Sequence, residues 1–124
     1  MKFGVRNAYG TLRRVIMHRP GRELDAVTPT TVEEFNFDGP VNRTAFLADY
    51  DAMLSLFRSH GVEVLLLEDI LKHDADALSF IEHRPNVTYT RDLARVFGHG
   101  AVLMGPYLKG RWWDQWVMGR AFQR

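Results

Sequence analysis

The chain is 124 residues long, 46% hydrophobic and 25% charged, the composition of one folded domain rather than of a disordered segment. Sixteen Lys and Arg against fifteen Asp and Glu leave a formal net charge of +1, so no global field draws it to nucleic acid or to an anionic membrane. The absence of cysteine excludes disulfides, thiolate metal ligands and a cysteine nucleophile from these residues. Met1 to Asn7 lacks the apolar core of a signal peptide and no apolar run reaches the length of a membrane span, so a cytoplasmic protein is expected.

In chain order, Leu12 to Met17 is rich in β-formers and closes on His18-Arg19-Pro20-Gly21, which predicts a first strand and a turn. Glu23 to Pro40 has no sustained period and contains Thr28-Pro29 and Asp38-Gly39-Pro40, so it reads as an extended connection of a length that often carries function. From Arg43 to His60, Phe46, Tyr50, Met53, Leu54 and Phe57 recur at spacings of three and four, which predicts an amphipathic helix stopped by Gly61. Val62 to Leu67 is a nearly continuous apolar run, the pattern of a strand buried on both faces.

Glu68 to Ile81 predicts one or two short helices ending before Arg84-Pro85, because the residue before proline is biased away from helix. Ala94 to Phe97 and Ala101 to Met104 flank Gly98-His99-Gly100, a hairpin signal. From about Gly110 to Phe122, Trp112, Trp113, Trp116, Val117 and Phe122 fall at mixed helical spacings, which predicts a last helix. The order of strand, helix, strand, short helices, hairpin and helix is α/β, in a single domain over residues 1–124. A chain that stops directly after a tryptophan-rich stretch, without a polar tail, suggests a piece of something longer.

The segment Asn86-Val87-Thr88-Tyr89-Thr90-Arg91-Asp92 alternates in the manner of a short strand. Read as a short strand, it sets Asn86, Thr88, Thr90 and Asp92 on one face, which is either solvated or lines a polar pocket. The same alternation separates Tyr89 from Asp92, so a bend or an end to the strand is needed for both to reach one pocket. The five histidines, His18, His60, His73, His83 and His99, are scattered without the spacing of helical metal ligands. No metal or other cofactor is expected, and no phosphate-binding or dinucleotide fingerprint occurs.

Leu12 to Leu24, then Thr28-Pro29, then Gly61-Val62-Glu63-Val64-Leu65, then Asn86 through Asp92 resemble, in order, the N-terminal part of the arginine deiminases. These belong with amidinotransferases and dimethylarginine hydrolases to the guanidino-group-modifying (pentein) superfamily, and the agreement runs from about Val5 to Asp114. The resemblance implies an α/β propeller of five repeats around a polar channel, of which this chain is a partial propeller of about two strand-helix repeats. It implies a cysteine that attacks the guanidinium carbon and a histidine general acid and base, both outside this chain. None of the five histidines lies in the His-x-acid motif of the family's catalytic histidine.

By position, Asp92 resembles the first guanidinium-binding carboxylate, which accepts paired N–H donors, and is the candidate catalytic residue. Asn86 resembles the asparagine that contacts the amino-acid end of the substrate, and Tyr89 the aromatic residue that packs on the guanidinium or its stem. Arg111 resembles the arginine that binds the substrate carboxylate, although two tryptophans follow it here where the family is more basic. Phe37-Asp38 falls where the family has a segment at the pocket mouth, with Gly39 in place of a second acid. The bland alternatives are a solvated Asp92, a turn-forming Asn86, a core Tyr89 and an Arg111 that covers apolar surface.

The implied function is substrate binding within an enzyme that converts arginine, or a related guanidino compound, to citrulline and ammonia, with the isolated chain inactive. A fragment of an amidinotransferase or dimethylarginine hydrolase is the alternative. A non-catalytic binding module of the same fold, like the ribosome-binding initiation factor that shares it, is an alternative of another class. The expected partners are a small guanidino substrate and, across exposed apolar edges, a homo-oligomer or a completing polypeptide. Trp112, Trp113 and Trp116 are candidates for that surface, or else pack on the domain's own sheet.

Overall fold

Arg14–Met17 forms strand β1 and pairs in parallel with β2, Glu63–Leu66, in a computed structural model that describes residues 3–124. Met1 and Lys2 of the Met1–Asn7 segment lie outside the described residues. The register sets Arg14 beside Glu63 and Met17 beside Leu66. Parallel strands need a crossover, and this one contains a 3₁₀ turn at Arg22–Ala26, a short helix α1 at Val32–Phe35 and a long helix α2 at Arg43–Ser59. Asn42 starts α2, its side chain accepting from the Ala45 N–H at 3.1 Å. Gly61 ends it at φ +72, where the chain folds back so that the Val62 N–H reaches the Phe57 carbonyl at 3.0 Å.

The two-residue period of β1 divides the interior. Val15 and Met17 meet Phe46, Tyr50, Leu54 and Phe57 of α2, while Ile16 joins the larger core on the other side. That core gathers α3 (Leu67–Ile70), α4 (Ala75–Ile81) and α5 (Gln115–Phe122) around Leu67, Leu71, Val87, Leu93 and Val117, which are fully buried. Asp74 caps α4 on the Ala77 N–H and also takes ion pairs from Arg120 and Arg124, which ties α5 to α4. The hairpin is β3 (Ala94–Phe97) against β4 (Gly100–Leu103), antiparallel, turning at Gly98 with φ +53. Among the described residues no helix is long and apolar enough to cross a membrane.

Several elements differ from the expectations, each for a local reason. The Glu23 to Pro40 connection is not simply extended, because Thr31 bonds back to the Ala26 carbonyl at 2.6 Å and builds turns too short to leave a period. β2 is half-buried rather than buried on both faces, since among the described residues it has one strand neighbour and α2 covers one side. The last helix begins at Gln115, because Trp113 takes a left-handed φ of 76 that breaks any helix running from Gly110. Trp112 and Trp113 are accordingly exposed, while Trp116 packs edge-on against Phe80 with ring centroids 5.4 Å apart.

His18, directly after β1, is buried between two carboxylates. Its Nε2 lies 2.7 Å from Glu23 Oε1 and its Nδ1 3.2 Å from Glu68 Oε2, so the ring donates on both sides only as imidazolium. Burial opposes that charge, yet the two carboxylates carry the His18 pKa above the ordinary histidine value. Burial likewise opposes ionisation of Glu23, but the bonds from His18 and the Gly21 N–H hold it below the ordinary carboxylate value. The His18 contribution is therefore complete below the ordinary histidine pKa and lost as pH rises through the folded-state value. The Glu23 contribution is complete above the ordinary carboxylate pKa and lost as pH falls through the folded-state value. Thermal unfolding followed across pH is expected to show a Tm plateau between these limits and a decline on the alkaline side. His18→Ala should remove that alkaline decline and cost about 3 kcal/mol at neutral pH by urea unfolding, because it leaves Glu23 buried and unpaired.

Candidate functional site

The Asn86 to Asp92 segment is not a strand. It forms two successive 3₁₀ turns, Pro85–Thr88 and Thr90–Asp92, joined at Tyr89. Pro85 supplies a fixed φ and no N–H at the start of the first turn. The threonine hydroxyls replace ladder bonds: Thr88 donates to the His18 carbonyl at 3.4 Å and Thr90 to the Ile16 carbonyl at 3.0 Å, so the segment is pinned to β1 and the residue after it. In a 3₁₀ turn, residues three apart share a side. Tyr89 caps both turns, and its ring and the Asp92 carboxylate, which a strand would separate, reach the same neighbour.

What they meet is Arg111. Its Nη1 donates to Asp92 Oδ2 at 3.0 Å, and its guanidinium carbon lies 5.9 Å from the centroid of the Tyr89 ring. The Phe37 ring packs on Tyr89, with centroids 6.4 Å apart and planes tilted by 47°. The pairing is asymmetric, since the Asp92 side chain is 49% exposed and that of Arg111 13%. Asp92 thus faces solvent across a cation that is nearly covered.

Behind Arg111 lies Asp114, which is fully buried. Its Oδ1 accepts from Arg84 Nε at 2.7 Å, and Arg84 also donates through Nη2 to the Trp112 carbonyl. Its Oδ2 stands 3.7 Å from Arg111 Nε, outside hydrogen-bond range. Burial pushes the Asp114 carboxyl above the ordinary aspartate value, although Arg84 and Arg111 pull the other way. Arg111 Nε, Arg111 Nη2, Asp114 Oδ2 and Gln115 Oε1 are buried without a hydrogen-bond partner. Such groups are few in folded proteins.

The 3₁₀ turn Lys109–Arg111 that carries Arg111 presses on α1. A Cβ on Gly110 would stand 2.5 Å from the Glu34 carbonyl oxygen, so glycine is what allows the approach. Of the four sequence-derived site residues, Tyr89, Asp92 and Arg111 come together. Asn86 is buried, and its Nδ2 donates to the Phe35 carbonyl at 3.0 Å, which holds the turn leading to Phe37. Arg84 and Asp114 had no assigned part in the sequence reading, although the Arg111-x-x-Asp114 spacing is a signal that could have found the second. No group of three or more His, Asp or Glu residues among those described could hold a metal ion.

No family model matches the chain. It is 42% identical over 110 residues to an arginine deiminase of Mycobacterium avium, an alignment that takes in 89% of this chain and 27% of that protein. An arginine deiminase of Mycolicibacterium gilvum is 45% identical over 73 residues, or 59% of this chain and 18% of that protein. One from Mycoplasma capricolum is 35% identical over 75 residues, 60% of this chain and 19% of that protein. The chain thus spans roughly a quarter or less of the length of these curated relatives.

Two substitutions separate scaffold from site. Gly110→Ala should lower stability by about 2 kcal/mol through overpacking against Glu34, with the urea midpoint falling at an unchanged m-value. Asn86→Ala should cost about 1–3 kcal/mol by leaving the Phe35 carbonyl without its donor, read in the same measurement.

Proposed function

Because this chain is homologous to the arginine deiminases, we propose that it supplies the guanidinium-binding side of an arginine-deiminase-like hydrolase. The observation that carries this reading is that Asp92 and Tyr89 already receive one guanidinium, that of Arg111, by carboxylate contact and by ring face. A carboxylate accepts the paired N–H donors of a planar guanidinium, and an aromatic face suits its spread positive charge. An arginine substrate would set its guanidinium on Asp92 against the Tyr89 ring. Arg111 would be the cation for the substrate carboxylate, and Asn86 keeps the Phe35 to Phe37 turn in place through its bond to Phe35.

The chemistry itself needs more than these residues. A nucleophile must add to the guanidinium carbon, ammonia must leave with a proton delivered to it, and water must then release citrulline. These 124 residues contain no cysteine. On this reading the nucleophile and the proton-transferring histidine come from further polypeptide, and the working enzyme is cytoplasmic. The β1–α2–β2 unit and the β3–β4 hairpin with α5 would be about two repeats of a five-repeat propeller.

Titration of the ¹⁵N-labelled chain with arginine should move the resonances of Tyr89, Asp92 and Arg111. Asp92→Asn should weaken binding roughly tenfold or more, the loss expected for a charged hydrogen-bond acceptor. A colorimetric citrulline assay on the pure chain should read no turnover. Arginine binding that is indifferent to Asp92→Asn, or citrulline formed by the chain alone, would overturn the proposal.

A further inference from the structure

Arg111 occupies the seat it would have to leave. Its guanidinium is bonded to Asp92 Oδ2 at 3.0 Å and lies over Tyr89, the contacts assigned above to a substrate guanidinium. An incoming guanidinium therefore cannot pair with Asp92 in full until Arg111 withdraws. The surroundings of Arg111 hold a second place for it. Asp114 is fully buried, its Oδ2 accepts no hydrogen bond, and that oxygen forms only a long ion pair, 3.7 Å, with Arg111 Nε, itself buried and without a hydrogen-bond partner. Nη2 of Arg111 is also without a partner. The side chain thus makes one good bond, to the exposed carboxylate, and leaves two donors and a buried acceptor unsatisfied within reach of each other.

We infer that Arg111 is an internal stand-in for the substrate guanidinium, exchanging between Asp92 in the empty site and Asp114 when a ligand guanidinium takes Asp92. The inference rests on the guanidinium-binding reading of Asp92 and Tyr89. Withdrawal toward Asp114 exchanges one carboxylate for another, so Arg111 is never left without a counter-charge. It also satisfies Asp114 Oδ2 and Arg111 Nε in one bond. The cost of an empty seat is avoided too, because Asp92 is paired whether or not ligand is present. Two other groups bear on the exchange. Arg84 keeps the remaining oxygen of Asp114 and the Trp112 carbonyl, and so fixes the receiving carboxylate in place. Gly110 fixes the backbone from which Arg111 pivots by lying against Glu34.

Competition of this kind has a signature that a purely structural ion pair lacks. When a site is open for only a fraction of the time, its apparent affinity falls by that fraction. The probe is methylguanidinium, which carries the guanidinium but no carboxylate for Arg111 to hold. By NMR titration at millimolar probe, Arg111→Ala should bind methylguanidinium roughly threefold to tenfold more tightly than the wild type, since the resident competitor is gone. Arginine, which can use Arg111 for its carboxylate, should gain less or lose affinity in the same variant. In the wild type, the Nε–Hε resonance of Arg111 should move with methylguanidinium and follow the same saturation curve as the Tyr89 amide. Asp114→Asn should weaken methylguanidinium binding by removing the charge that receives Arg111.

Each outcome bears on the inference. Methylguanidinium binding that requires Asp92 but is no tighter in a folded Arg111→Ala variant, with the Arg111 Nε–Hε resonance unmoved in the wild type, overturns the exchange and leaves the guanidinium site standing. Binding that is unaffected by Asp92→Asn, or undetectable in both the wild type and Arg111→Ala, overturns the site reading and the exchange with it.

Discussion

Two hydroxyl-to-carbonyl hydrogen bonds, Thr90 to Ile16 and Thr88 to His18, hold the Asn86 to Asp92 segment against β1. β1 pairs with β2 and among the described residues with no other strand, so the segment joins it through side chains and not through a ladder. Side-chain donors in place of a ladder free the backbone to wind into 3₁₀ turns, and the winding brings Tyr89 and Asp92 to one side. The site depends on this conversion of a strand-like pattern into turns. Its other wall, Arg111, arrives from a turn far along the chain, pressed into place at Gly110.

The buried carboxylates Glu23, Asp74 and Asp114 sit where elements join. His18, Glu23 and Glu68 tie the end of β1 to the turn after it and to α3. Asp74 ties α4 to α5 through Arg120 and Arg124. Asp114 ties the start of α5 to Arg84, at the entrance to the first 3₁₀ turn. Buried ionic groups add little net stability compared with apolar packing, but each penalises any arrangement that separates the partners. They therefore act here as registry devices. In this set Asp114 stands apart, because one of its oxygens is unused. That oxygen lies 3.7 Å from Arg111 Nε.

A good part of the fold was legible beforehand. The spacing of Phe46, Tyr50, Leu54 and Phe57 with Gly61 behind it specified α2 and its end, because a helix that packs on one side must repeat near 3.6 residues. The Gly98-His99-Gly100 interruption specified the hairpin. α1 and the Lys109–Arg111 turn left no such trace, being shorter than one period of any pattern. Tyr89, Asp92 and Arg111, singled out through the resemblance to arginine deiminases, are neighbours in the structure, whereas the alternation of residue types alone pointed to a strand that does not form.

The sequence by itself determined the residue types that can receive a guanidinium, the absence of any cysteine to attack one, and the order of the long elements. Those follow from composition and from periods that hold over many residues. Only the tertiary structure decided that Tyr89 and Asp92 share a side, that Asn86 is committed to Phe35, and that Arg111 lies between an exposed carboxylate and a buried one. The physical reason is range. A short turn is shaped by the hydrogen bonds its side chains find in distant strands, and an ion pair by which backbone a glycine lets approach, and neither is written in neighbouring residues.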